Sequence, residues 1–172
     1  YKYLGIILDE HLNYDKTASI LASSGNRALG ALCSKFYKFN GLGYNTFTKL
    51  YHTGIVPILD YSSGIWGFKS FEKIDTVQNR AIRSYLGVHR FAPNLAINGD
   101  MGWFNSHSRR KLEILRFWNR LMKMNDTRIT KKVFLHDLNC RGPRWSSDVL
   151  AVLQEIELES NFYNLECVSG KL

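Results

Sequence analysis

The chain has few of the residues that staple, punctuate or activate a small protein. Three cysteines, Cys33, Cys140 and Cys167, stand far apart among 172 residues. An odd, widely spaced set cannot form a disulfide framework and fits a reducing compartment, so an intracellular location, cytoplasm or nucleus, is expected. No C-x2-C or H-x3-H pair occurs, which argues against zinc; His136 and Cys140 are four apart, make at most half a site and are read as unrelated. No stretch approaches about 18 uncharged apolar residues, and no charged leader precedes an apolar run, so neither a membrane span nor a secretion signal is expected. Phosphate-cradling loops of the G-x-x-x-x-G-K-[ST] or G-x-G-x-x-G type are missing, and Gly41-Leu42-Gly43 is read as a turn. Two-metal phosphoryl transfer needs grouped carboxylates, whereas the seven Asp of the first 145 residues are all separated. Cys33 falls mid-helix near an apolar face and reads as a buried thiol rather than a nucleophile. No catalytic residue, metal site or cofactor is expected in this chain.

What the sequence does hold is a core and an excess of positive charge. Its 45% hydrophobic and 22% charged content is that of a globule, one domain or two small ones. The net charge of +8 is uneven: residues 1–145 carry 22 Lys and Arg against 10 Asp and Glu, a balance of +12. Residues 146–172 carry one Lys against five acids, a balance of −4. A basic body with an acidic tail points to a polyanionic partner, most often nucleic acid. The chain starts at Tyr1 and enters the apolar run Tyr3-Leu4-Gly5-Ile6-Ile7-Leu8 at once, as expected of a piece of a longer polypeptide.

Hydrophobic periodicity predicts a mostly α fold with a short N-terminal β-strand or hairpin. Tyr1 to Leu8 reads as a strand, Asp9 to Asn13 as a turn leading toward a brief second strand through Tyr14, and Asp15 as an N-cap. Lys16 to Phe39 is a predicted helix with Ala18, Leu21, Gly25, Ala28, Leu29, Leu32, Phe36 and Phe39 on one face. Lys16, Arg27 and Lys38 share the opposite side, and the run of Ala18, Ala22, Gly25, Ala28, Gly30 and Ala31 suits close approach of another helix. A second helix is expected from Asn45 to Val56, broken at Pro57, with Ile55, Val56, Ile58, Leu59, Ile65 and Trp66 as core. Ser70 is the expected cap of a third helix ending at Leu86 before Gly87, with Phe71, Ile74, Val77, Ala81, Ile82 and Tyr85 inward. Its outer face carries Lys73, Arg80 and Arg83. Residues 88–105 read as irregular, pinned to the core by Phe91, Met101, Trp103 and Phe104. Ser108 would cap a fourth helix, Arg109 to Met124, with Leu112, Leu115, Trp118 and Met122 inward and Arg109, Arg116, Arg120 and Lys123 outward. A short helix near Lys131–Leu138, a break at Arg141-Gly142-Pro143 and an acidic amphipathic helix from Asp148 to Glu159 complete the reading.

Any one of these basic stripes alone is an ordinary solvated face. Three of them in a body of charge +12 make Arg27, Lys38, Lys73, Arg80, Arg83, Arg109, Arg116 and Arg120 the candidate nucleic-acid contacts. Such contacts track phosphates and carry little sequence preference. The four Trp, nine Tyr and ten Phe could stack on bases, though most fall at core positions.

The order of motifs resembles one family. Tyr1-Lys2-Tyr3-Leu4-Gly5-Ile6-Ile7-Leu8-Asp9 followed by Leu12-Asn13-Tyr14 is similar to the segment that closes the palm of non-LTR (LINE-type) retrotransposon reverse transcriptases. Leu50-Tyr51 through Val56-Pro57-Ile58-Leu59-Asp60-Tyr61-Ser62-Ser63-Gly64-Ile65-Trp66-Gly67 resembles the helical stretch after it. Ile74-Asp75-Thr76-Val77-Gln78-Asn79-Arg80-Ala81, Tyr85-Leu86-Gly87-Val88, Met101-Gly102-Trp103 and Arg116-Phe117-Trp118-Asn119-Arg120-Leu121 continue in the same order. The resemblance covers residues 1–124 and implies two parts, an end-of-palm strand or hairpin over 1–14 and a helical thumb-like and post-thumb region over 15–124; residues 125–172 fall outside it and read from their own pattern as a helical C-terminal extension with an acidic tail. The resemblance implies that Tyr3, Leu4 and Gly5 lie beside the primer end and that the helices grip an RNA–DNA or DNA duplex. The family's catalytic carboxylates and their Mg belong to a Tyr-x-Asp-Asp turn upstream of this start, which this chain lacks. The expected partners are therefore nucleic acid, bound without sequence specificity, and the missing palm and fingers; no membrane is expected. A reading from another class is a non-enzymatic helical module that binds a protein through its apolar faces. A groove that gathers the basic residues favours the first, and scattered charges beside a large exposed apolar patch favour the second.

Overall fold

In the computed structural model, which describes residues 1–8, 10–140 and 144–168, the N-terminal segment turns back on itself instead of running straight. β1 (Lys2–Tyr3) pairs antiparallel with β2 (Ile6–Ile7), Lys2 opposite Ile7 and Tyr3 opposite Ile6. Leu4 and Gly5 both take positive φ, 45° and 89°, as the tightest hairpin turns require. The single strand expected over Tyr1 to Leu8 is thus a hairpin, and Asp9, expected in the following turn, lies outside the described residues. No strand runs through Tyr14. The hairpin is fastened to the helix that follows: the Ile7 N–H donates to Thr17 Oγ1 at 2.9 Å, and the Thr17 hydroxyl donates to Ile7 O.

The chain then forms α1 (Asp15–Lys38), α2 (Tyr44–Gly54), α3 (Val56–Leu59), α4 (Ser63–Trp66), α5 (Glu72–Leu86), α6 (Asn94–Met101), α7 (Ser106–Met122), α8 (Ile129–Asn139), α9 (Trp145–Glu155) and α10 (Glu159–Tyr163). The fold is mostly α with a short N-terminal hairpin. These elements make two compact units: Tyr1–Ser62 with Ser70–Ser108, and Ser63–Lys69 with residues 109–168.

In the first unit α1 packs on α3 and α5 through the face that its period marked. Ala18, Leu21, Gly25, Leu29 and Leu32 are buried, while Ala28 is half-buried and Phe39 exposed. The close approach falls at Gly25, where a Cβ would stand 2.4 Å from Leu59 Cδ2. Asp15 is the first helical residue and not the cap, and its N–H is taken by Asn13 Oδ1. Pro57 sits in the first turn of α3, where a missing N–H breaks nothing. Ile55 and Leu59 are buried, but Val56 and Ile58 are only half-buried and Ile65 is exposed. An aromatic cluster fills the far end of the unit. Tyr51 stacks on Trp103 with ring centroids 4.3 Å apart, and Phe47 lies 4.8 Å from Tyr85.

The inward face of α5 is the expected one, from Phe71 through Ile82, with Tyr85 half-buried. The helix begins at Glu72, so Ser70 does not cap it; the Ser70 hydroxyl donates to the Asp75 carboxylate instead. Gly87 ends it in the left-handed region at φ 66°, with open space where a Cβ would stand. Gly87→Ala should therefore destabilise by strain alone, about 1 kcal/mol, read as a lowered denaturant midpoint at unchanged slope.

The stretch expected to be irregular contains α6. Pro93 leads into it, Gly102 at φ 61° closes it, and the Tyr44 hydroxyl donates to Met101 O at 2.7 Å. Only Ile97 and Met101 point inward, too few in eight residues to show a period. Met101 and Trp103 do pin the segment, whereas Phe91 and Phe104 are 75% and 80% exposed.

The second unit has its own core: Ile114, Leu115, Trp118 and Leu121 of α7 meet Phe134 of α8, Val149, Val152 and Leu153 of α9, and Val168. The buried stripe of α7 includes Ile114 and Leu121, and the expected Leu112 and Met122 are half-buried. This unit does not follow the expected boundary at residue 124, because Trp118 and Leu121 bury themselves against the 125–168 segment. The last expected helix starts earlier, at Trp145, and is interrupted after Glu155 before α10; the Arg141-Gly142-Pro143 break lies outside the described residues.

Candidate nucleic-acid interface

The inward turn of Val77, Ala81 and Ile82 leaves Thr76, Arg80, Arg83 and Ser84 on the outer side of α5. Gly87 then reverses the chain and brings Arg90 to that side. Arg80, Arg83 and Arg90 line one cleft of about 520 Å3, together with Tyr37, Thr76 and Ser84, and among the described residues no carboxylate lines it. Three guanidinium groups thus share one open surface.

Their settings differ. Arg83 is half-buried and positioned: its Nη2 donates to Ala92 O at 2.8 Å and to Asn94 Oδ1 at 2.6 Å. Arg80 is exposed and reaches Asn26 Oδ1 at 3.5 Å. Arg90 is exposed and lies over the Phe91 ring at 4.6 Å. Planar, forked donors on a surface without carboxylates suit phosphate oxygens, which accept two N–H bonds from one guanidinium. Tyr37, 63% exposed, adds an aromatic face at the rim.

The other candidate residues are not gathered here. Lys73 donates to Ser19 Oγ at 2.8 Å in a groove that Asp15 and Glu72 also line, a poor setting for an anion. Arg27 folds onto its own helix, donating to Ser23 and Ser24, and Lys38 is exposed in the last turn of α1. In the second unit Arg116 is ion-paired with Glu113 one turn before it, Arg120 is exposed and Arg109 is half-buried. The neighbouring Arg110 is fully buried, with its guanidinium 5.9 Å from the Trp66 ring centre. Tyr3, Leu4 and Gly5 form the exposed hairpin turn, and the Tyr61 hydroxyl donates to Leu4 O at 3.0 Å.

Arg90 is the residue that the sequence reading missed. Its signal was local: a cation three residues past the glycine that ends a helix with a basic outer face. Two cysteine readings also change. Cys33 is partly exposed, and Cys140 Sγ lies 3.1 Å from His136 Nδ1, so that pair is in contact. Among the described residues no three His, Cys, Asp or Glu side chains come together as metal ligands, and no helix is long and apolar enough to cross a membrane. The chain matches no protein-family model, no curated protein and no solved structure, so its functional reading rests on this geometry.

Proposed function

We propose that the chain is a non-catalytic, nucleic-acid-gripping part of a polymerase of the non-LTR reverse transcriptase kind, holding a template–primer duplex by its phosphates. The observation that carries this reading is the arginine cleft: Arg80, Arg83 and Arg90 converge on one surface, and no acid among the described residues lines it. The partner sequence of a polymerase changes with every nucleotide added, so its grip must read backbone and not bases. The exposed rings of Phe91 and Phe104 and the exposed Leu95 favour the second reading, a protein-binding module.

Salt dependence separates the two. Three neutralised phosphates would give log K against log salt a slope of about −2.7, with dissociation constants on the order of 10⁻⁴–10⁻⁶ M at physiological salt. Arg80→Gln with Arg90→Gln removes the two exposed cations and keeps Arg83, whose hydrogen bonds hold α6. The slope is expected to flatten by about 1.8, equally for every duplex sequence, with an unchanged circular dichroism spectrum. An unbound RNA–DNA duplex at low salt, or an unaltered slope in the double variant, would favour the protein partner.

A further inference from the structure

On the other side of α5 lies a second cleft, of about 580 Å3, with a different chemistry. Its wall is a relay of amides whose orientation is set from one end. Gln78, 98% buried, donates from Nε2 to the backbone oxygen of Phe104 at 2.9 Å and to Asn98 Oδ1 at 3.0 Å. A carbonyl oxygen accepts only, so the Phe104 bond identifies the nitrogen of Gln78, and the next bond identifies the oxygen of Asn98. Asn98 Nδ2 in turn donates to Asn94 O and to Asn79 Oδ1. The relay ends at Asn79, with its oxygen occupied and its NH2 group left over.

Two more amides at the cleft are polarised the same way. Asn94 Oδ1 accepts from Arg83, and Asn105 Oδ1 accepts from the Ser108 N–H at 2.7 Å. Each of these oxygens is committed to an unambiguous donor. The Nδ2 groups of Asn79, Asn94 and Asn105 have no acceptor among the described residues. Trp103 also lines the cleft, and its buried indole N–H has no acceptor either. The cleft therefore offers donors and asks for acceptors. The acceptors are not those of a phosphate, because the Asp75 carboxylate lines the same wall, held by the hydroxyls of Ser70 and Ser106.

From this we infer that the amide cleft binds an unpaired nucleobase rich in carbonyl oxygens, uracil or thymine, on a strand whose phosphates lie in the arginine cleft. The inference rests on the nucleic-acid reading above and adds to its sequence-neutral grip on the duplex a base preference confined to a strand that is unpaired. The two clefts flank one helix, and the Arg83–Asn94 hydrogen bond joins a residue of one to a residue of the other. Such adjacency puts base and backbone within reach of the same strand. At its exocyclic positions uracil presents two carbonyl acceptors and cytosine one, whereas adenine accepts only through ring nitrogens and presents an NH2 donor that the cleft's own donors cannot pair. The Phe104 ring, 80% exposed at the edge of the cleft, offers a stacking face for any base.

The test is fluorescence anisotropy with 12-nucleotide strands of uridine and of adenosine at low salt. One neutral hydrogen bond is worth roughly a fivefold preference, so uridine should bind about fivefold or more tightly than adenosine. Asn79→Asp and, separately, Asn105→Asp keep the oxygen that their neighbours use and remove the outward donor. Each should cut the uridine-to-adenosine ratio by about threefold or more, beyond any common weakening from the added charge. Arg80→Gln should weaken both strands and leave the ratio alone. Asn105 is exposed, so its variant decides the matter should Asn79→Asp perturb folding. Equal binding of both strands, or a ratio untouched by both variants, overturns the base site and leaves phosphate gripping standing. Failure of both strands to bind at all overturns the base site and the phosphate grip together.

Discussion

Trp118→Ala is expected to remove about 3–5 kcal/mol from the stability of the second unit, the cost typical of emptying a large aromatic from a close-packed core. The indole is completely buried, stacked on Phe162 at 5.3 Å and edge-on to Phe134 at 5.5 Å. Its Nε1–H donates to Glu166 O at 3.1 Å, so the truncation also strands a backbone acceptor. Domains are stable by only about 5–15 kcal/mol, so this one change takes a large share. Hydrogen exchange should register it as faster exchange in α8 and α9, whose Phe134, Val149 and Leu153 share that core. Protection unchanged there would mean that the 125–168 segment does not depend on α7.

Gly25→Val should destabilise the first unit by about 2–3 kcal/mol through overpacking. The missing side chain is what lets α1 reach α3: any Cβ there would stand 2.4 Å from Leu59 Cδ2, 3.2 Å from Leu59 Cγ and 3.8 Å from Val77 Cγ1. Leu59 is itself fully buried and has nowhere to retreat. Gly30, five residues on in the same helix, supplies the control. Nothing lies within 4 Å of a Cβ built on it, so Gly30→Ala should stabilise by about 1 kcal/mol through helix propensity. Denaturant midpoints moving in opposite directions would show that contact, and not glycine as such, sets the sign. A tolerated valine at Gly25 would refute the close approach.

The two glycines illustrate what was legible in the chain. The 3.6-residue period placed α1 and α5 to within two residues and named most of their buried faces, because long amphipathic helices repeat the same statement many times. It put Gly25 on the apolar face and left Gly30 off it, but could not say that Gly25 would meet Leu59, distant in sequence. α6 was missed because eight residues with two inward side chains make no period. Arg109 was singled out and the buried Arg110 passed over, because a guanidinium looks the same in sequence whether water or Trp66 faces it. Of the arginine cleft, Arg80 and Arg83 were visible on one helical face. Arg90 was not, as its place depends on the turn at Gly87. The amide relay had no sequence signal: Gln78 and Phe104 stand 26 residues apart, and Asn residues in a loop-rich stretch ordinarily mark turns.

The second unit draws on two separate stretches of chain, Ser63–Lys69 and residues 109–168. No single cut releases it whole. A fragment beginning at Arg109 would lack Trp66, which is fully buried, and Gly64, whose carbonyl accepts the Trp145 indole N–H at 2.9 Å. The same interruption imposes an order on biosynthesis. Trp66 is translated before Arg110, and at about 5–20 residues per second the ribosome needs roughly 2–9 s to bridge them. For that interval a large aromatic waits without the guanidinium it lies against, while α5 and α6 are made and can settle on α1. The first unit is thus the natural early product of synthesis. The Ser63–Lys69 segment, made in the same interval, has its own core only once residues 109–168 follow.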